Sequence, residues 1–398
     1  MKTLIELYDE RAIENFIGPE TFKPEEIVYI CPSEIARSKT RQSAMTDFLS
    51  SRGLKVKAEF LEASIYKSDK ILRQLLKTAE THTDCALDVT GGTDAALFAA
   101  GMFSSQAGVP TFTYSRRRNS FYDIHNAPFA DNLPCTLEYK VEDFFRMTGG
   151  TMQPGRVDNR VLKKYLDSFN EFFAIFLRHR REWGDFIVYM QRASQCPKGE
   201  KISLNVDSAY TRKGEHGGTV HACPDILNEL QTLGYISNLK IEENTHVSFR
   251  FKNEQTRAWL RDAGSVLELY MYRACIESGI FNDVVCSAVV AWDGTTGHGS
   301  VSNEIDVAAA KGITPIFISC KTCDIKTEAL NELSVLKERF GGKGAKAVIV
   351  TTEECGAAAR HRAAQLDMAV IDLEELSAGK AADRIRVIMK AVETMPEV

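Results

Sequence analysis

Over the first 145 residues, short apolar runs alternate with stretches whose apolar positions recur at helical spacing. Residues 27–31 are apolar, 55–61 are mixed, 86–89 lead into a glycine pair and 111–114 follow Pro110. Residues 41–49, 71–79 and 95–103 read as helices between them. Strand and helix alternating in this way predict a mainly parallel sheet covered on both faces, a Rossmann-like α/β domain over residues 1–148.

The pattern changes at Gly149-Gly150. A strongly apolar helical stretch follows (Val161, Leu162, Tyr165, Leu166, Phe169, Phe172, Phe173, Phe176). Ile226, Leu227, Leu230 and Leu233 then recur at helix spacing before a C-cap candidate, Gly234, and Val247, Phe249 and Phe251 alternate as in a strand. Residues 149–252 therefore read as a helical and winged-helix-like connector. Such a unit serves packing as readily as DNA reading, and its shape alone does not choose. From 253 to 398 the expected order is helix 254–278, strand 284–292, a Gly/Thr/Ser turn at 294–300, strands 301–309 and 314–320, helix 326–340, strand 347–351, a helix and strand 369–373, a third unit with a helix-flanked mixed sheet.

At 398 residues, 44% hydrophobic and 26% charged, the chain has the balance of a globular protein of two or three domains. No apolar run approaches the roughly 20 residues of a bilayer crossing, so no membrane association is expected. Glu6, Asp9 and Glu10 stand where an export signal needs apolar residues. The expected location is cytoplasmic, and ten cysteines, several inside apolar runs, fit a reducing compartment. A formal charge of −5 argues against coating of nucleic acid by the whole surface and confines any such site to a local basic channel.

The sharpest chemistry lies in Val-Ser-Asn-Glu-Ile-Asp-Val (301–307) followed by Ile-Phe-Ile-Ser-Cys-Lys (316–321). Strand alternation puts Glu304 and Asp306 on one face, and Ser319 and Lys321 together on one face of the next strand. Upstream, Glu268 interrupts the apolar run of a buried helix and needs a partner there. A hard divalent cation, Mg2+ or Mn2+, would satisfy Glu268 and Asp306 together, and Lys321 would stabilise negative charge or orient an attacking water. The plainer reading is a cross-strand ion pair between Asp306 and Lys321, which leaves the crowding of three carboxylates unexplained. Cys320-Lys-Thr-Cys323 is a single CxxC with Cys320 turned inward, and His216, His221 and Cys223 could make a zinc half-site or simply belong to a Gly-rich surface loop.

The strand acid and strand lysine behind a Glu-bearing helix resemble the PD-(D/E)xK restriction-endonuclease-like nucleases. Residues 264–270, 303–307, 318–322 and 339–342 are similar to the nuclease half of the CRISPR-associated Card/Can proteins, in which such a nuclease is coupled to an N-terminal CARF sensor. The resemblance implies Glu268 and Asp306 as metal ligands and Lys321 as the catalytic lysine. Ser319 stands where many superfamily members carry glutamate, so Glu304 or the main-chain carbonyl of Cys320 is expected to complete the metal shell.

Near the N-terminus, Ala86 to Asp94 runs as a strand into Thr90-Gly91-Gly92-Thr93 and then a helix. Backbone amides and the two threonine hydroxyls there can cradle a phosphate or ribose, or the glycines are simply turn chemistry. The loops at Pro32-Ser33 and Tyr114-Ser115-Arg116 leave the same sheet edge. This segment and residues 4–16 resemble the CARF ligand motif and the opening of that family. The implied ligand is a cyclic oligoadenylate, the tetramer above others, held across a homodimer because a two-fold ring suits two identical loops. The expected function is a cyclic-tetra-adenylate-activated, metal-dependent nuclease cutting DNA, RNA or both in type III CRISPR antiviral defence. The rival readings are a ligand-responsive transcription regulator built on the winged unit, and a ring nuclease degrading its own ligand.

Overall fold

The structure is a computed structural model describing residues 1–153, 159–196, 201–214, 218–242, 244–292 and 302–390, and every number of strands or partners given below is a number among these. Its first sheet contains β1 (Thr3–Leu7), β2 (Glu26–Cys31), β3 (Lys57–Glu62), β4 (Cys85–Asp88), β5 (Thr111–Ser115) and β6 (Ser120–His125), in the order β3-β2-β1-β4-β5-β6. All neighbours are parallel except β6, which returns antiparallel to β5. The apolar pattern did not single out β1 or β6. β1 is nonetheless the central strand, with all five residues buried, Glu6 among them. Strand order reverses between β1 and β4, and ligands of such sheets bind at the carboxyl ends of the strands flanking that point.

One face of this sheet (Ile5, Leu7, Val28, Leu87) packs against the helices Ser68–Thr81 and Asp94–Ala107. The other (Leu4, Ile27, Tyr29) faces the helices Ile17–Phe22 and Lys39–Ser51, and its apolar cluster runs on without a gap into the C-terminal part of the chain.

After β7 (Thr151–Gln153), the middle segment forms the helices Phe169–Arg178 and Arg180–Ala193. It continues as β8 (Asn205–Ala209), β9 (Thr211–Lys213), β10 (Thr219–His221), the helix Pro224–Thr232, β11 (Ile236–Glu242) and β12 (His246–Phe251). β11, β12 and β8 make an antiparallel sheet in that order, and β9 and β10 a separate hairpin. The last sheet has β13 (Asp283–Ala291), β14 (Ser302–Lys311), β15 (Thr314–Lys321), β16 (Lys346–Thr351) and β17 (Ala369–Ile371), in the order β17-β16-β15-β14-β13-β7. β7, expected within the connector, thus pairs antiparallel with β13 and closes the edge of the C-terminal sheet. Val301 and the turn expected at 294–300 lie outside the described residues.

Each face of the C-terminal sheet is committed to a different neighbour. Val307, Ile316, Ile318 and Val350 share a core with the helix Ser265–Ser278 and the aromatic middle segment, where the rings of Phe173 and Tyr270 stack 4.0 Å apart. Ala308, Phe317 and Ile349 on the opposite face share a core with the N-terminal sheet. The link is the helix Val141–Arg146, whose Phe145 meets Phe317 and Phe340 at ring-centroid distances of 6.2 and 5.0 Å.

Beneath the strand-order reversal lie two buried acids. Glu6 and Asp88 face each other in the β1–β4 register, and Glu6 Oε1 and Asp88 Oδ2 have no hydrogen-bond partner. Burial pushes both carboxyls up, Asp88 to about 7 and Glu6 well above its ordinary value, with Asp88 adding to the effect on Glu6. An unfolded chain ionises both near pH 4, whereas the folded chain keeps its protons longer. The contribution of Asp88 to stability is therefore fully present below about pH 4 and is lost as pH rises through about 7. Asp88→Asn, which keeps an acceptor for the Thr90 amide, is expected to stabilise the fold relative to wild type by at least about 1 kcal/mol more at pH 8 than at pH 5 in urea unfolding. An equal effect at the two pH values would contradict this.

Candidate functional site

The helix expected over 254–278 is interrupted. It ends as Glu254–Trp259 and restarts as Ser265–Ser278, because Asp262 folds its carboxylate back over the break and accepts hydrogen bonds from the Gly264 amide (3.3 Å) and the Ser265 hydroxyl (3.0 Å). The restart places Glu268 in the first turn of the second helix, where the helix dipole favours negative charge. That helix packs on β13, β14 and β15.

On β14, Ile305 is buried while Asp306 is only half-buried and Glu304 exposed. On β15, Ile318 and Cys320 are buried while Ser319 and Lys321 are half-buried. The alternation expected from the sequence is present on β15, but on β14 it breaks at Asp306: Ile305 enters the core shared with the N-terminal sheet and Val307 the core under the helix Ser265–Ser278, so these two do not share a face. Asp306 Oδ2 accepts a 2.6 Å hydrogen bond from the Cys320 amide and a 3.3 Å one from the Ser319 hydroxyl, which fixes the acid against the strand that carries Lys321. Across the sheet the β13–β14 ladder is interrupted at the facing residues Ser287 and Asp306. Ser287 takes a positive φ of 55°, a costly conformation for a residue with a side chain, and its hydroxyl donates to Glu304. Ser287 and Asp262 were not singled out from sequence. The first sits in an unbroken apolar run, and the second shows its role only once the helix break is seen.

The electrostatics join these groups. Burial, then the charges of Asp306, Asp262 and Glu304, push the Glu268 carboxyl up to about 8, while Lys321 opposes them. Burial also raises Asp306, against the Cys320 amide and Lys321. Carboxylates whose charges raise Glu268 beside a lysine form an all-oxygen donor set short of positive charge, which fits a hard divalent cation. The cysteines fit one less well: the Cys320 thiol is buried and held well above its ordinary range, Cys323 is exposed, and burial pushes Cys223 up to about 11. His221 Nδ1 lies 3.3 Å from the Thr211 hydroxyl, and His216 is outside the described residues. Among the described residues, one group of three His, Cys or carboxylate ligand atoms lies mutually within 4.8 Å: Glu26, Glu59 and His82, in which Glu26 is already paired with Lys57; the three carboxylates expected to share a metal, Glu268, Asp306 and Glu304, are not brought that close together.

A second site opens between the N-terminal sheet and the C-terminal half, as a cleft of about 1770 Å3. Tyr8, Glu10, Arg11, Pro32, Ser33 and the segment 62–66 line it from the strand ends, and Trp292, Arg339, Gly342 and Lys343 from the other side. Arg339 stacks on the Trp292 ring at 4.8 Å. Of the residues expected to hold a nucleotide, Pro32 and Ser33 are on its walls and the other six are not. Gly91 is packed against β1, where a Cβ would come within 2.9 Å of the Leu7 carbonyl oxygen, and the Gly92 amide donates to Asp9 at 3.2 Å. The Thr90 hydroxyl accepts the Tyr114 amide at 2.9 Å, Thr93 caps its helix, Tyr114 bonds Asn119 at 2.7 Å, and Arg116 is paired with Glu14 at 2.8 Å. The glycine pair thus serves a close approach of β1 and β4 here.

No protein-family model matches the chain, and no curated protein matches it either. Solved structures do match its fold. Protein VC1899 from Vibrio cholerae superposes with a TM-score of 0.77 at 17% identity over 98% of each chain. Can2 from Sulfobacillus thermosulfidooxidans, solved in complex with cyclic tetra-adenylate, superposes with a TM-score of 0.68 at 17% identity, over 97% of this chain and 99% of that one. The chain is a mixed α/β protein with the fold of the Card/Can type. It shares the Can2 fold from end to end, including the middle segment that the motifs at the two ends did not cover.

The Asp262 turn sets where the Glu268 helix begins. Asp262→Ala is therefore expected to lower stability by about 1 kcal/mol in denaturant unfolding, the usual cost of losing a helix-start acceptor. An unchanged midpoint would show that the break does not depend on it.

Proposed function

We propose that the chain is a metal-dependent nuclease switched on by a cyclic oligoadenylate, in the manner of a type III CRISPR defence effector. The observation that carries this reading is the fixing of Asp306 onto the Ser319–Lys321 strand, under the helix whose Glu268 feels its charge. Glu268, Asp306, Glu304 and the main-chain carbonyl of Cys320 would hold Mg2+ or Mn2+. In an extended strand that carbonyl points to the same side as the Cys320 amide, which already faces Asp306. When bound, the ion supplies charge neutralisation at a phosphoryl oxygen and a more acidic water. Ser319 and the Cys320 amide hold Asp306 in place, and Lys321 provides a positive charge for the phosphate that is being attacked. The substrate is DNA, RNA or both.

The ligand assigned to the cleft is cyclic tetra-adenylate, the ring bound by Can2. Arg11, Arg41, Lys70 and Lys343 on its walls suit a ring of phosphates. A homodimer is supported by the helix Asp94–Ala107 after the glycine pair, which exposes Leu97, Phe98 and Met102 on a surface that a second copy would cover.

The test incubates the full chain with plasmid, single-stranded DNA and RNA in manganese, with and without cyclic tetra-adenylate. Ligand-dependent cutting is expected, lost by about a hundredfold or more in both Asp306→Ala and Lys321→Ala. Undiminished cutting by the two variants would move the active site elsewhere, and duplex binding without cutting would favour a regulator. Ser319→Glu, which adds a carboxylate beside Asp306, is expected to reduce the manganese concentration needed for half-maximal cutting. A requirement that stays the same or rises would count against Ser319 facing the ion.

A further inference from the structure

The cleft and the C-terminal sheet are joined by one short loop. The helix Thr327–Gly341 lies on β15 and β16 and ends at Gly342, which has a φ of 67°. Gly342 and Gly344 then press into the N-terminal half. A Cβ on Gly342 would collide with Ile13, and one on Gly344 would come within 2.9 Å of Arg116 Nη1. Between them the Lys343 amide donates to Glu14 Oε1 at 3.4 Å, and Glu14 Oε2 in turn holds Arg116. The loop is seated in a socket built from the segment after β1 and the β5–β6 turn.

The Lys343 side chain reaches past that socket to the strand-order reversal itself. Its ammonium lies 3.5 Å from the Thr90 carbonyl oxygen and 3.8 Å from Asp9 Oδ2. Asp9 is almost fully buried and is also held by the Gly92 amide through Oδ2 and the Arg11 amide through Oδ1. The glycine-loop amide is therefore taken by a carboxylate of the same chain, and the balancing charge for that carboxylate comes from the C-terminal half. Lys343 keeps 42% of its side chain exposed and lines the cleft.

We propose that Lys343 is the positioning residue through which an anionic ligand in the cleft acts on the C-terminal sheet: a ligand phosphate competes with Asp9 for its ammonium. The proposal rests on the reading of the cleft as a cyclic oligoadenylate site. Because Gly342 and Gly344 are wedged against Ile13 and Arg116, the main chain at 343 cannot shift alone. A displaced Lys343 carries the end of the helix Thr327–Gly341, and that helix lies against the strand bearing Ser319 and Lys321. Coupling of this kind needs contacts that differ between two states, and the exchange of Asp9 for phosphate is such a difference.

The test uses the full chain, wild type against Lys343→Met and Lys343→Arg. Cyclic tetra-adenylate binding is measured by calorimetry, and cutting in manganese at saturating ligand is measured in parallel. Lys343→Met is expected to bind the ring about tenfold more weakly, the scale of one charge-assisted hydrogen bond, at a temperature where both proteins are folded. It is also expected to retain less than about a tenth of the ligand-stimulated cutting even when saturated. Lys343→Arg is expected to recover binding to within a few-fold, together with part of the cutting, which a lysine needed only for packing would not show. Equal binding by wild type and Lys343→Met overturns the assignment whatever the nuclease does, as does full activation of the saturated Met variant. A wild type that binds the ring but never cuts overturns the proposed function instead, and the binding comparison still decides whether Lys343 meets the ligand.

Discussion

The arrangement depends on a single apolar core shared by two sheets. Leu4, Tyr29 and Phe48 of the N-terminal half and Phe317, Phe340 and Ile349 of the C-terminal half belong to one continuous cluster, bridged by Phe145. Protein interiors are packed as densely as organic crystals, so the two halves cannot slide freely past each other. Any signal passing between them must move whole elements or act through the few polar contacts at the rim of that core. The loop at 342–344 and the Glu14–Arg116 pair are contacts of this kind.

The C-terminal site shows the opposite economy. Burial and the charge of Asp306 raise Glu268, burial and Glu304 raise Asp306, and Ser287 holds a strained backbone to face Glu304. Structure that serves stability alone avoids such crowding, because like charges in a low-dielectric setting repel and neutral replacements pack better. Here strain and like-charge repulsion are gathered at one place.

Much of this could be read from the sequence. The alternation over residues 316–321 is present on β15, since a period of two leaves little freedom once one face is buried, whereas on β14 the irregularity opposite Ser287 breaks it between Ile305 and Val307, which no local pattern announces. The helix break before Glu268 was missed because Asp262-Ala263-Gly264 interrupts an otherwise continuous apolar period only through a side-chain hydrogen bond. β1 was missed because Glu6 sits inside it, and a buried acid in a central strand runs against the hydropathy pattern. The edge of the N-terminal sheet at the strand ends was legible through the loops that leave it, of which Pro32-Ser33 lines the cleft. The commitment of Gly92 to Asp9 and of Arg116 to Glu14 joins residues 83 and 102 positions apart, which no local pattern reveals.

β7 gives the middle segment its standing in the molecule. The chain enters the C-terminal sheet at Thr151–Gln153, leaves to build the aromatic helices and the small antiparallel sheet, and returns at β13 alongside the strand from which it departed. The segment is therefore an excursion nested inside another fold, with both ends moored side by side. A part tethered in that way cannot serve as a swivel between the two ends of the molecule. It can only ride with the sheet that holds it.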